Sequence, residues 1–287
     1  MESALYRKMY QIVMKIYTKT HLKRITFTDA DIVLTYLWAV LHDRPTNWAC
    51  NRKNWPIYYR KRRLPDPSTI CRRLRTKDIQ LLFRQVEKAL INAQPRKLCR
   101  WIDAKPLPIS GSTTDKLARY GYAAGCMGKG YKLYAIGDDQ QGLVQWRVYP
   151  MSYNEDVVAR ELISHVESEG YLVGDSAYDK NSLYEIAGGK SIRHFAIKRY
   201  KKSKGLGHHR HSPYRLHALA RLKTPFVQRL LDYRDNIERM FVQLTNFACG
   251  LKPLPSWVRG LFRVENWVRA KLIIFQIWRQ YVSPNSI

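Results

Sequence analysis

Apolar residues recur at spacings of three and four through the first third of the chain, so residues 1 to about 95 read as helical. The stretch "TDADIVLTYLWAVLHD" is the clearest case. Ile32, Val33, Tyr36, Leu37 and Val40 share one helix face, and Thr28 or Asp29 can serve as the N-cap. Near residue 98 the period shortens. "KLCRWIDAKPLPI" reads as a strand; Pro106 and Pro108 confine it to a sheet edge or to its own end, because proline has no N–H for a ladder. "YKLYAIGDDQQGLVQWRVYP" holds two strand-like runs around a hairpin loop. "NEDVVARELISHVESEG" reads as an amphipathic helix ended by Gly170. The strand "YLVG", a short helix and the strand "SIRHFAIKRY" follow. From "SPYRLHALARL" onward the pattern is helical. Three antiparallel strands and then alternating helices and strands predict an α/β fold, a mixed sheet with flanking helices. The expected division is a helical region, 1–95, and an α/β domain with C-terminal helices, 96–287.

Charge changes the picture most. Lys and Arg number 50 against 23 Asp and Glu, a formal net charge of +27 at neutral pH. Such a field favours a polyanion, and nucleic acid is the default partner. No apolar run approaches the roughly 20 residues of a spanning helix, and the charged N-terminus does not read as a signal peptide. The expected location is therefore cytoplasmic, beside the nucleoid. The five cysteines are scattered and odd in number, which argues against a zinc cage or a disulfide framework. They are expected to be reduced and mostly buried. The histidines of "GHHRH", 207–211, read as part of a basic loop.

Two basic segments stand out. Residues 52–77 hold ten Lys or Arg and one acid, Asp66, with aromatics interleaved. Within it "PDPSTICRRLR" reads as a turn, a Ser68 cap and a short helix carrying Arg72, Arg73 and Arg75, which suits a helix-turn-helix reader of DNA. A merely solvated basic face is the alternative. Between Glu185 and Asp232 there are twelve Lys or Arg and no acid. Lys198, Arg199, Lys201 and Lys202 are the expected phosphate contacts there, in a loop expected to be mobile without its ligand.

Carboxylates are the scarce charge. In a sheet of the predicted order, the ends of the first and fourth strands lie side by side. Asp103 follows "RWI" and Asp175 follows "YLVG". A third carboxylate, Glu238, sits beside Ile237 on the helix "LLDYRDNIERMFVQLTNF", whose packed face is expected to carry Ile237, Phe241, Leu244 and Ala248. Three convergent carboxylates are enough to hold a pair of Mg²⁺ ions. Each also has an ordinary use. Asp103 could end a strand, Asp175 could cap a helix, and Glu238 could pair with Arg234 one turn earlier. Asp115, Asp138, Asp139, Asp179, Asp235 and Glu265 are rivals, of which the first three fall in turns.

The segments "WIDAKPLPI", "MGKGYKLYAIGDDQQGLVQWRVYPMSYNEDVVARELI", "YLVGDSAYDKNSLYEIA", "RHFAIKRYKK" and "YRDNIERMF" resemble, in order, those of bacterial insertion-sequence DDE transposases. The resemblance covers roughly residues 98 to 280. It implies a ribonuclease H-like core without a large insertion, and a DNA-binding N-terminal region. It implies Asp103, Asp175 and Glu238 as a catalytic, metal-binding triad for two Mg²⁺ ions, with Mn²⁺ able to substitute. The implied reaction is cleavage at transposon ends, followed by joining of the freed 3′-hydroxyl to target DNA. The implied partner is double-stranded DNA, bound by a homodimer, with Arg234 at the DNA. A catalytically inactive DNA-binding descendant and a plain metal-dependent nuclease are the competing readings. The helix around Glu238 departs from the group's usual pattern. Tyr233 directly precedes Arg234 rather than standing three residues before it, and Thr245 stands where a Lys is usual.

Overall fold

The computed structural model describes residues 1–17, 26–61, 63–109, 113–123, 125–138, 140–199 and 211–281. Asp139, Lys201, Lys202 and all of "GHHRH" but His211 lie outside them.

Helices α1 (Glu2–Tyr17), α2 (Asp29–Leu41), α3 (Thr46–Ala49), α4 (Pro67–Arg73) and α5 (Lys77–Asn92) come first. Thr28 caps α2 through a capping box with Asp31, which satisfies two donors of the first turn at once. All of α2 except Asp31 is buried, so it is a core helix. Helix α4 is capped by Asp66, whose carboxylate accepts from the Ser68 N–H, rather than by Ser68 itself. Proline at the first helical position favours this start, because its missing N–H would be unsatisfied anyway. The helix ends at Arg73, so Arg75 lies just beyond it.

The sheet strands are β1 (Cys99–Pro108), β2 (Arg119–Ala123), β3 (Cys126–Asp138), β4 (Gly142–Pro150), β5 (after helix α6, Glu155–His165; Gly170–Gly174) and β6 (after helix α7, Asn181–Gly189; Ile192–Ala196). Strands β4, β3, β1, β5 and β6 lie side by side, with β3 antiparallel to both β4 and β1. Strands β1, β5 and β6 run parallel. The mixed sheet with flanking helices is compatible with a ribonuclease H-like core. Strand β1 is central rather than an edge. It pairs with β5 only over Cys99–Ile102, so Pro106 and Pro108 fall where its β5 side has no partner. Strand β2 was not foreseen. It forms a two-stranded ribbon with the first five residues of β3, beyond the part of β3 that pairs with β4. Helix α6 stops at His165, capped by Val166, and Gly170 instead opens β5 at φ 93°.

Helices α6 and α7 cover one face of the sheet. Val158, Leu162, Ile163, Leu183 and Ala187 pack there against Ile102, Tyr134, Ile136 and Leu172. Helices α8 (Pro213–Arg221), α9 (Pro225–Asp232), α10 (Asp235–Asn246) and α11 (Leu261–Tyr281) complete the chain. Helix α9 lies against β5 and β6 on the opposite face, with the Phe226 ring 5.4 Å from that of Tyr171. The long helix expected around Glu238 is two helices. Tight backbone bonds three residues apart, Arg234 to Leu231 and Ile237 to Arg234, break it at Tyr233–Arg234. Because α10 ends at Asn246, Phe247 is buried and Ala248 is exposed.

Two compact units result. One comprises Met1–Ala93, Leu244–Val258 and Arg263–Ile287; the other, Gln94–Gln243 and Arg259–Phe262. Most of α11 thus clusters with the N-terminal helices. Its Arg269 pairs with Glu87 and with Gln80 of α5, and its Lys271 pairs with Asp43. The thiols are less buried than expected: Cys249 is buried, but Cys71 and Cys126 are exposed. No described helix is long and apolar enough to cross a membrane.

Candidate active site

Strand register decides where the first two carboxylates go. On the parallel pair β1 and β5, the last partners are Ile102 and Gly174. Asp103, within β1, and Asp175, still extended just past the end of β5, come next. Side chains alternate along a strand, so both aspartates share the face of Trp101 and Val173, opposite the α6–α7 core. Helix α10 lies on that same face, where the Lys105 ammonium is 5.9 Å from the Phe241 ring. Glu238 is one turn before Phe241.

Each carboxylate has a local partner. Asp103 accepts from the Ala104 N–H at 2.7 Å. Asp175 caps a single 3₁₀ turn, Ser176–Tyr178, by accepting from the Ala177 N–H at 2.8 Å. Glu238 is 3.8 Å from Arg234, and its side chain is 65% exposed. Among the described residues no three His, Cys, Asp or Glu side chains are gathered closely enough to hold a metal ion. The fold therefore sets the two aspartates side by side and brings Glu238 to their face, without drawing the three into a cage.

Electrostatics mark the place. Burial pushes the Asp103 carboxyl up to about 7, and the charges of Asp175, Glu155 and Glu238 push in the same direction against the Ala104 N–H. The Tyr178 phenol, fully buried beneath, is also pushed up by burial and by Asp103, Glu155 and Asp175. A buried carboxyl among like charges is a poor structural element and a good place for a cation. The donors are hard carboxylate oxygens, the type that Mg²⁺ and Mn²⁺ take. On chemistry and charge the residues fit a divalent ion.

Glu155 was not foreseen from the sequence. It opens α6 and binds Lys132 of β3 at 2.8 Å. The two are 23 residues apart, and only the crossing of α6 over the sheet joins them. Lys132 falls in the segment "MGKGYKLYAIGDDQQGLVQWRVYPMSYNEDVVARELI" that carries the transposase resemblance, which was the one available signal. The "GDSAYD" turn within "YLVGDSAYDKNSLYEIA" is also accounted for. A Cβ on Gly174 would stand 3.1 Å from Ile102 and from Tyr178, so any other residue would make these two side chains give way by a few tenths of an ångström. Asp179 forms a two-pronged pair with Arg215, at 2.7 and 2.9 Å, and accepts from the Arg199 N–H. That engagement lowers its pKa and explains it without a metal.

The other rivals are similarly engaged. Asp115 accepts from Tyr131, Leu117 and Gly260. Asp138 accepts from Gln140 and Gln141. Glu265 pairs with Arg269, and Asp235 lies 4.0 Å from Arg234. Of the expected DNA contacts, Arg72 and Arg75 are exposed, whereas Arg73 is held by Asp29 and the Phe27 carbonyl. Lys198 and Arg199 follow β6; Arg234 is shared by Asp235 and Glu238.

No curated protein and no solved structure matches this chain. A family defined as the transposase DDE domain does match, over residues 94–274, a span that takes in Asp103, Asp175 and Glu238. With more than half of its 287 residues matched, the chain belongs to the transposase DDE domain family.

Proposed function

We propose that this protein cleaves DNA at the ends of a mobile element and joins the freed 3′-hydroxyl to target DNA. The observation that carries the reading is the parallel register of β1 and β5. It sets Asp103 and Asp175 side by side, on the face that also bears Glu238. These three would hold two Mg²⁺ ions, or Mn²⁺, which would activate the attacking oxygen and steady the leaving one. The chain's own part is positional and electrostatic. Asp103 gives up its proton to become a ligand, and Asp175 is oriented by the turn that it caps. Glu155 is held by Lys132 at 2.8 Å. Glu238 leaves Arg234 when it turns inward, and Arg234 is then released toward phosphate.

The excess positive charge supports double-stranded DNA as the substrate. In this reading the N-terminal region, with Arg72, Arg75 and a largely structural Arg73, binds the element's ends. Lys198, Arg199, Lys201 and Lys202 follow the backbone near the cut, two copies of the chain act together, and the protein works at the nucleoid in the cytoplasm.

The test is to incubate the full chain with Mg²⁺, a labelled duplex carrying the terminal repeats of its own element, and a target plasmid. Joined product is expected. Nicks alone would indicate a nuclease, and binding alone an inactive descendant. Asp103→Asn, Asp175→Asn and Glu238→Gln should each lower cleavage by at least about a thousand-fold while DNA binding persists. Normal cleavage by Glu238→Gln would remove Glu238 from the site.

A further inference from the structure

The ribbon of β2 and β3 carries an exposed face that the catalytic reading leaves unused. Tyr120 pairs across the ribbon with Lys129, and Tyr122 with Met127. Tyr120 is 59% exposed, and Tyr122 and Met127 are each 66% exposed. The Lys129 ammonium is 5.9 Å from the Tyr120 ring. Alternation along β3 puts Lys129 on the same side as Leu133 and Ala135, the partners of Lys105 and Asp103. The four side chains thus share the sheet face of the candidate active site.

The other face of the ribbon is braced. Gly121 opposes Gly128, and a Cβ on Gly121 would come 2.5 Å from the Met151 carbonyl oxygen. Met151 is itself buried and donates its N–H to the Gly130 carbonyl. The exposed face is consequently held firm. Close by in the chain, Lys116 and Arg119 are exposed, Arg119 on the braced side of β2, and Asp115 is buried among its hydrogen bonds.

We infer that this ribbon face is a second DNA contact, which holds the duplex leading to the cut. The inference rests on the DNA-processing reading above. Charge complementarity favours DNA over a second copy of this equally basic chain. A two-stranded ribbon fits the major groove, where tyrosine hydroxyls and a lysine can reach base edges and phosphates.

The experiment uses the full chain and a fluorescent 30-base-pair duplex of mixed sequence, with affinity measured over a salt series. Tyr120→Ser/Tyr122→Ser should bind at least about tenfold more weakly, with an unchanged salt slope, because no charge is lost. Lys129→Gln should lower the slope by about one. Melting curves check that the variants fold, and light scattering gives their mass. If the wild-type chain binds no duplex, the DNA-processing reading and this inference fall together. If wild type binds and the double variant binds equally well, the ribbon contact alone is wrong. A change of oligomeric mass at unchanged affinity would identify the ribbon as a self-association surface and would also overturn the inference.

Discussion

Lys271 and Asp103 are ionisable side chains withdrawn from water, one in each compact unit. The Lys271 ammonium is fully buried, 2.7 Å from the Asp43 carboxylate and 2.9 Å from the Cys249 carbonyl. Burial pulls its pKa down, and Asp43 pulls back. Asp103 has the same problem and worse company. Burial pushes its pKa up, and its charged neighbours, Asp175, Glu155 and Glu238, add to the push. Arg269 repeats the first pattern, enclosed by Glu87, Glu265 and Gln80. The helical unit neutralises its buried charge internally. Around Asp103 the sheet unit instead leaves like charges together, which is stable only when something cationic arrives. The contrast separates buried charge that serves the fold from buried charge that serves a ligand.

The largest test of that contrast is on the Lys271 pair. Asp43→Asn leaves the buried ammonium with only a carbonyl, and should cost about 3 kcal/mol in denaturant unfolding. Lys271→Met should cost less, because Asp43 is partly exposed and can hydrate. If the order were reversed, the pair would be holding the fold by attraction rather than by mutual neutralisation.

A smaller effect should appear at Asp103. Its folded pKa of about 7 lies above the unfolded value of about 4. The stability linked to its proton is therefore complete below pH 4 and is lost as pH rises through 7. Melting temperature should fall between pH 5 and pH 8 more in wild type than in Asp103→Asn. Millimolar Mg²⁺ should restore about 3 °C at pH 8 and little at pH 5. Equal pH slopes in both proteins would mean that the carboxylate cluster is not the source.

The smallest difference is expected between two neighbouring arginines. Arg73→Ala removes the contacts to Asp29 and the Phe27 carbonyl, and should cost about 1–2 kcal/mol. Arg72→Ala should alter stability by less than about 0.5 kcal/mol and instead reduce the salt slope of DNA binding by about one. Were both to behave alike, the division between structural and DNA-facing charge would not extend to α4.

The sequence alone determined what depends on local spacing. Thr28 was legible as a cap because capping involves residues three apart. The sheet was legible because apolar alternation repeats within each strand. Asp103 and Asp175 could be singled out because each follows a short apolar run, although β1 continues past Asp103 to Pro108, so that Asp103 does not end its strand. Only the tertiary structure decided what depends on contacts across the chain. It showed that α11 packs with helices nearly two hundred residues earlier, because Arg269 and Asn266 find Glu87 and Gln80 there. It gave Asp179 to Arg215, 36 residues away, and Glu155 to Lys132. It also revealed the ribbon, since the short run "RYGYA" becomes a strand only where β3 extends past β4 to receive it. Periodicity reports which face of an element is apolar. It carries no term for which distant charge will meet which, and that pairing is what distinguishes a structural carboxylate from a candidate ligand.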